Sequence, residues 1–125
     1  MIDFSGERFV PPEGGELHYE HMHRYAWVAA LCQGKDVLDI ACGEGYGSAL
    51  LADSAKSVMG VDISPVAVAH AQGAYAKPNL RYRVGSAAEI PMPDACVDIA
   101  VSFETVEHLT RQTEMLSEVR RVLKP

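Results

Sequence analysis

The run Val37-Leu38-Asp39-Ile40-Ala41-Cys42-Gly43-Glu44-Gly45-Tyr46-Gly47, followed by Val61-Asp62-Ile63-Ser64, decides the fold. An apolar strand breaks into a glycine-rich turn that opens a helix, and a second strand then ends in a carboxylate. That is the layout of the nucleoside-binding half of a parallel α/β sheet. Gly43, Gly45 and Gly47 carry no Cβ, so the main chain can bend sharply after the strand and lie close against a ligand. Asp62 stands where a carboxylate accepts hydrogen bonds from both hydroxyls of an unphosphorylated ribose. The expected ligand therefore contains a ribose.

The turn narrows the choice of nucleoside. A dinucleotide fingerprint wants glycine at its first, third and sixth positions; counted from Gly43 the sixth is Ser48, and glycine falls at the fifth. Asp39, at the end of the first strand, repels a phosphate and attracts the ammonium of an amino acid. Both features favour a ligand with a cationic amino-acid tail. They disfavour the alternative of an NAD-dependent oxidoreductase.

DIACGEGYG from Asp39 to Gly47, VDIS from Val61 to Ser64, GSAAEIPMPDACVDIAVSFETVEHL from Gly85 to Leu109 and the closing RRVLKP together resemble a class I S-adenosylmethionine-dependent methyltransferase. The resemblance covers most of the chain from Gly34 onward, in ordered motifs at matching spacing. It implies that Asp39 and the backbone of Ala41, Cys42, Gly43, Glu44 and Gly45 hold the methionine part of S-adenosylmethionine, Asp62 the ribose, and Ile63 a face of the adenine. Ser86 and Ala87 would meet the adenine edge. Family members often carry Asp where this chain has Ser86, which leaves a backbone contact from Ala87. Phe103 would close the methionine end of the pocket, or it is ordinary core.

The implied fold is a Rossmann-like doubly wound parallel sheet of order 3-2-1-4. The resembled fold continues past the KP motif into further strands, whereas Pro125 is the last residue here. The expectation is a partial domain truncated after its fourth strand, whose open edge belongs to a fragment or is covered in a homo-oligomer.

Composition agrees. A chain of 125 residues, 48% apolar, suits one domain: an irregular arm over residues 1–16 and an S-adenosylmethionine-binding domain over residues 17–125. A net charge of −6 without a Lys/Arg cluster argues against a nucleic-acid partner and for a small-molecule acceptor. No leader-like or membrane-spanning segment is seen, so a cytoplasmic location with no membrane partner is expected. Cys32, Cys42 and Cys96 are odd in number and lack metal-ligand spacing, which argues against disulfides or structural zinc. Cys42 is either a nucleophile or, as favoured, a small residue filling tight space beside the ligand.

The elements can be placed. A helix is expected from about His18 to Cys32, with Met22, Tyr25, Ala26, Ala29 and Ala30 at helical spacing and Gly34 as its stop. Strands are expected at Asp36–Ile40, Ser57–Asp62, Leu80–Val84 and Val97–Phe103. The third alternates Leu80, Tyr82 and Val84 with two arginines, as an edge strand does. The helix after the glycine turn runs through Leu50 to about Asp53. Ser64 and Pro65 open another, running to about Ala76. A last helix spans Thr113–Leu123, with Arg120, Arg121 and Lys124 near its carboxyl end, where the helix dipole favours cations.

Two constellations carry chemistry beyond the turn. If helical, Glu104, Glu107 and His108 share a face and can hold a divalent cation that lowers the pKa of an acceptor hydroxyl. This resembles metal-assisted O-methyltransferases. Alternatively His108 is a general base, or the segment is a solvated first turn. In the stretch from His18 to Tyr25, Arg24 can meet the methionine carboxylate and Tyr19 can line the pocket. The opening GERFVPPEGGELHYEHMHRY also looks like the amino end of bacterial methyltransferases found with glycan-building enzymes, a pointer to a sugar acceptor. The reading is thus methyl transfer, most readily to oxygen, with a non-catalytic cofactor-binding or assembly module as the alternative.

Overall fold

A computed structural model of the chain describes residues 24–102 and 111–125. Its centre is β1 (Asp36–Ile40), which pairs in parallel with β2 (Ser57–Asp62) on one side and β4 (Ile99–Val101) on the other; β3 (Leu80–Val84) lies outside β2. The order β3-β2-β1-β4 is the one expected from the sequence. β1 is apolar on both faces because both are covered. One face carries Val37, Val58, Leu80, Tyr82 and Val101 against Tyr25, Val28, Cys32, Leu51, Val68 and Ala71. The other carries Leu38, Ile40 and Val61 against Ile90, Met115 and Val122.

Among the described residues, four helices supply these covers. α1 is helical over residues 24–31 and enters the first core through Tyr25 and Val28. The expected stripe through Ala26 and Ala30 is exposed instead, because the bulkier Tyr25, Val28 and Cys32 recur at helical spacing and bury more apolar area. α2 (Tyr46–Ala52) follows the glycine turn directly. α3 (Pro65–Ala74) starts as expected, with the Ser64 side chain accepting from Ala67 N–H at 3.1 Å. It ends before Ala76, since the backbone leaves helical geometry at Tyr75 (φ −132°, ψ 60°), whose carbonyl lies 3.0 Å from the Tyr82 hydroxyl. α4 (Gln112–Val122) matches its expected span to within a residue.

Two strand expectations shift. Val84 is 47% exposed, since it stands level with Asp62 at the carboxyl end of the sheet, outside the core that takes in Leu80 and Tyr82. β4 is shorter than expected at its start: Val97 bonds to the end of α4, its N–H to Val122 O at 3.0 Å and its carbonyl to Lys124 N–H at 2.8 Å. Its expected end, Phe103, lies outside the described residues. So does the 1–16 arm.

The approach of α1 to the turn is close. A Cβ placed on Gly47 would fall 2.0 Å from the Tyr25 ring. Gly47→Ala is therefore expected to lower stability by about 1–3 kcal/mol through overpacking, read as a lower urea midpoint with unchanged slope. A midpoint equal to wild type would contradict this packing.

Candidate functional site

The carboxyl ends of β1 and β2 meet in a single turn. Cys42 N–H donates to Val61 O at 3.0 Å, so parallel pairing runs one step past Ile40 before the chain swings away. The swing uses left-handed backbone at Ala41 (φ 57°), Gly43 (φ 59°) and Gly45 (φ 94°). Ala41 is the one that has to hold this conformation with a side chain, the kind of local strain found at ligand sites. The glycines answer different demands. A Cβ on Gly45 would sit 2.5 Å from Ala71 Cβ and 2.8 Å from the Tyr82 hydroxyl, so Gly45 and Gly47 admit neighbouring protein. A Cβ on Gly43 would meet nothing within 4 Å. Of the three, Gly43 is the one whose Cβ position is open among the described residues.

Asp62 fixes the turn. Its carboxylate accepts from Gly43 N–H at 3.1 Å through Oδ1 and from Ser64 N–H at 3.0 Å through Oδ2, and it is 4% exposed. Both carboxylate oxygens are thus engaged with backbone N–H groups of the turn and of the start of α3. Ile63, the next residue, is 67% exposed, a large apolar side chain standing in solvent beside a buried carboxylate. Glu44 faces α3, with its carboxylate 3.7 Å from His70 Nε2.

Asp39 lies beneath the turn, fully buried. Ser48 Oγ donates to it at 2.7 Å and the Tyr25 hydroxyl at 3.4 Å. Burial pushes its pKa up to about 7, opposed by the Ser48 and Tyr25 hydrogen bonds and aided by the charge of Asp62. Ser48, which the sequence shows only as a missing glycine, is thus the closest partner of this carboxylate. No local signal marks it, because the contact depends on α2 folding back over β1. Cys42 is buried, its Sγ 3.1 Å from where a Gly60 Cβ would be, and burial together with Asp39 and Asp62 raises its pKa well above the usual thiol value. A thiol held protonated is a poor nucleophile, which leaves the space-filling role.

The structure brings Asp39, Ala41, Cys42, Gly43, Glu44, Gly45, Asp62 and Ile63 to one edge of the sheet. Ser86 and Ala87 follow β3 at that same edge, where Gly85 N–H donates to Asp62 O at 2.9 Å. The Ser86 hydroxyl is turned into its own loop, accepting from Ala88 N–H at 3.0 Å. Arg24 is half-buried in α1, next to Tyr25. Tyr19, Phe103, Glu104, Glu107 and His108 lie outside the described residues; among those described, no group of three or more His, Cys, Asp or Glu side chains could hold a metal ion. Likewise, no helix among the described residues is long and apolar enough to cross a membrane.

The profile of the methyltransferase domain family matches residues 38–125. The chain belongs to that family. A protein of Mycolicibacterium smegmatis named a probable S-adenosylmethionine-dependent methyltransferase is 41% identical over 99% of this chain and 48% of its own length. A ubiquinone/menaquinone biosynthesis C-methyltransferase of Rubrivivax gelatinosus is 36% identical over 87% of this chain and 43% of its own. Among solved structures, the Haloferax volcanii methyltransferase complexed with the Trm112 activator superposes with a TM-score of 0.77, at 27% identity over 86% of this chain and 48% of that one. This methyltransferase domain therefore spans about half the length of the relatives it matches.

The buried Asp39 gives the domain a signature pH dependence. Below the ordinary carboxylate value of 3.8 the site is protonated whether the chain is folded or not; between there and about 7 only the folded chain keeps the proton. The stability the site contributes is thus fully present at low pH and lost as pH rises to about 7. The stability difference between wild type and Asp39→Asn, from urea unfolding at pH 4 to 8, is expected to move against wild type over that window. Parallel curves would contradict the burial described.

Proposed function

We propose that this domain binds S-adenosylmethionine over the turn after β1 and transfers its methyl group to an oxygen of a small-molecule or sugar-type acceptor. The observation that carries the reading is the pairing of Gly43, whose Cβ would meet nothing within 4 Å among the described residues, with the exposed Ile63 beside Asp62. An apolar shelf next to a carboxylate at the end of β2 suits an adenosine: the ribose hydroxyls donate to Asp62 and the base covers Ile63. The family match and the names of the relatives support the choice of nucleoside.

When bound, S-adenosylmethionine would supply a sulfonium methyl open to in-line attack by the acceptor oxygen, with S-adenosylhomocysteine as the leaving thioether. The protein's part is positioning. Asp62 orients the ribose and at the same time locks Gly43, so that base, sugar and tail meet a preformed surface. Asp39, when ionised, holds negative charge under the turn and favours the cationic tail without touching it. The bare main chain at Gly43 lets the tail approach. The acidic composition, net −6, fits an uncharged acceptor. Oxygen as acceptor atom rests on the sequence reading of the segment around His108, and the carbon-methylating relative makes a carbon acceptor the competing outcome.

In thermal unfolding, S-adenosylhomocysteine at a hundred times its Kd is expected to stabilise the domain by about 2.7 kcal/mol, while NAD produces no shift. Stabilisation by NAD alone would overturn the reading. Gly43→Ala is expected to lose about 1–2 kcal/mol of stability from its left-handed backbone and to bind S-adenosylhomocysteine at least about tenfold more weakly by calorimetry. Unchanged affinity would mean that nothing lies over Gly43.

A further inference from the structure

The connection from β3 to β4 has neither helix nor strand of its own among the described residues, so its backbone groups need partners elsewhere. Three consecutive carbonyls find them on two arginines. Arg121 Nη2 donates to Ile90 O at 2.9 Å, Arg83 Nη1 to Pro91 O at 2.9 Å, and Arg121 Nη1 to Met92 O at 2.9 Å. Arg121 completes its set with Asp94 Oδ1 at 2.7 Å and with both oxygens of Glu118, at 2.8 Å from Nε and 2.9 Å from Nη2. All five guanidinium N–H donors are used. Glu118 in turn accepts from Ile90 N–H at 2.8 Å, and Ala95 N–H donates to Arg121 O at 2.9 Å.

This clamp reaches the site through Pro91. A Cβ on Gly85 would fall 2.7 Å from the Pro91 ring, so the clamped segment presses on the residue that immediately precedes Ser86 and whose N–H is held by Asp62 O. Helix-dipole complementarity alone would ask nothing specific of Arg121. A planar fork saturated by one carboxylate, two carbonyls and a second carboxylate does.

We infer that Glu118 and Arg121 are positioning residues for recognition of the adenine edge, acting on Ser86–Ala88 through Pro91 and Gly85. The inference rests on the proposed binding of an adenosine at this edge. Among the described residues, the loop that would face the base is held within itself by a short turn, Ala88 N–H to Ser86 Oγ at 3.0 Å and Glu89 N–H to Ser86 O at 3.1 Å. Upstream it is anchored to Asp62 through Gly85 N–H, and downstream its course is set by the adjoining segment from Ile90 to Asp94, which Arg121 fixes to α4.

The test compares wild type, Arg121→Lys and Lys124→Ala. Lysine keeps the charge but cannot reproduce the fork. Lys124 bridges Asp36 and Asp98, 3.2 and 3.4 Å away, at the amino ends of β1 and β4, and serves as a control for loss of a surface ion pair. Calorimetry with S-adenosylhomocysteine and with S-inosylhomocysteine, whose base edge differs, reads recognition directly. Arg121→Lys is expected to cut the preference for the adenine ligand about three- to tenfold, and Lys124→Ala to leave it unchanged. Hydrogen exchange, which needs no ligand, is expected to show faster exchange at Ala88, Glu89 and Ile90 in Arg121→Lys, with Gly43 and Ser64 unaffected. Equal weakening toward both ligands, or unaltered exchange at 88–90, overturns the inference. If wild type takes up neither ligand, the cofactor reading fails and the exchange result alone decides whether the clamp holds the loop.

Discussion

One carboxylate organises the functional edge. Asp62 accepts the N–H of Gly43 from the turn after β1 and that of Ser64 from the start of α3, joining the two segments at the end of the β1–β2 ladder. Charge-assisted bonds to backbone N–H groups are among the stronger ones a protein makes. They explain why the turn can hold left-handed backbone at Ala41, which carries a side chain. The bonds also fix the carboxylate's position during folding, so that in the proposed recognition of a ribose no reorganisation of Asp62 is needed.

The other constraints converge on the same place. Gly45 and Gly47 let α3 and α1 pack against the turn at distances no Cβ would permit. Tyr82 spans from β3 to place its hydroxyl between the carbonyls of Tyr75 and Gly45, 3.0 and 3.2 Å away, which share its one proton and bring the edge strand to the turn as well. Beneath it, the Asp39 carboxyl with Ser48 and Tyr25 is a buried polar cluster whose charge state is near its balance point at neutral pH. Such a group favours a cationic ligand more as pH rises, while its own burial becomes costlier. Binding and stability therefore respond to pH in opposite senses at this site.

Much of this is legible in the sequence. β1, β2 and β3 fall on their expected residues because their apolar runs are bounded by Gly, Asp and Pro, and the order comes from alternating strands and helices. The glycine turn and Asp62 are legible because their chemistry is local. What the sequence hides is long-range: Ser48 as the partner of Asp39, Pro91 against Gly85, and Arg121 as a five-bond clamp rather than a cation at a helix end. Each joins residues on separate elements whose meeting depends on packing. The α1 stripe departs from expectation for a related reason. Alanines satisfy helical spacing on either side, and only the volumes of Val28 and Cys32 decide which side turns inward.

The central claim is that the carboxyl edge of β1 and β2 is a preformed nucleoside surface. A two-dimensional NMR titration of the 15N-labelled chain with S-adenosylhomocysteine tests it most directly. The largest amide shifts are expected at Cys42, Gly43, Ile63 and Ala87–Ala88, with Asp36, Ser57 and Asn79 at the opposite end of the sheet unmoved. Shifts concentrated at that opposite end, or none at saturating ligand, would contradict it.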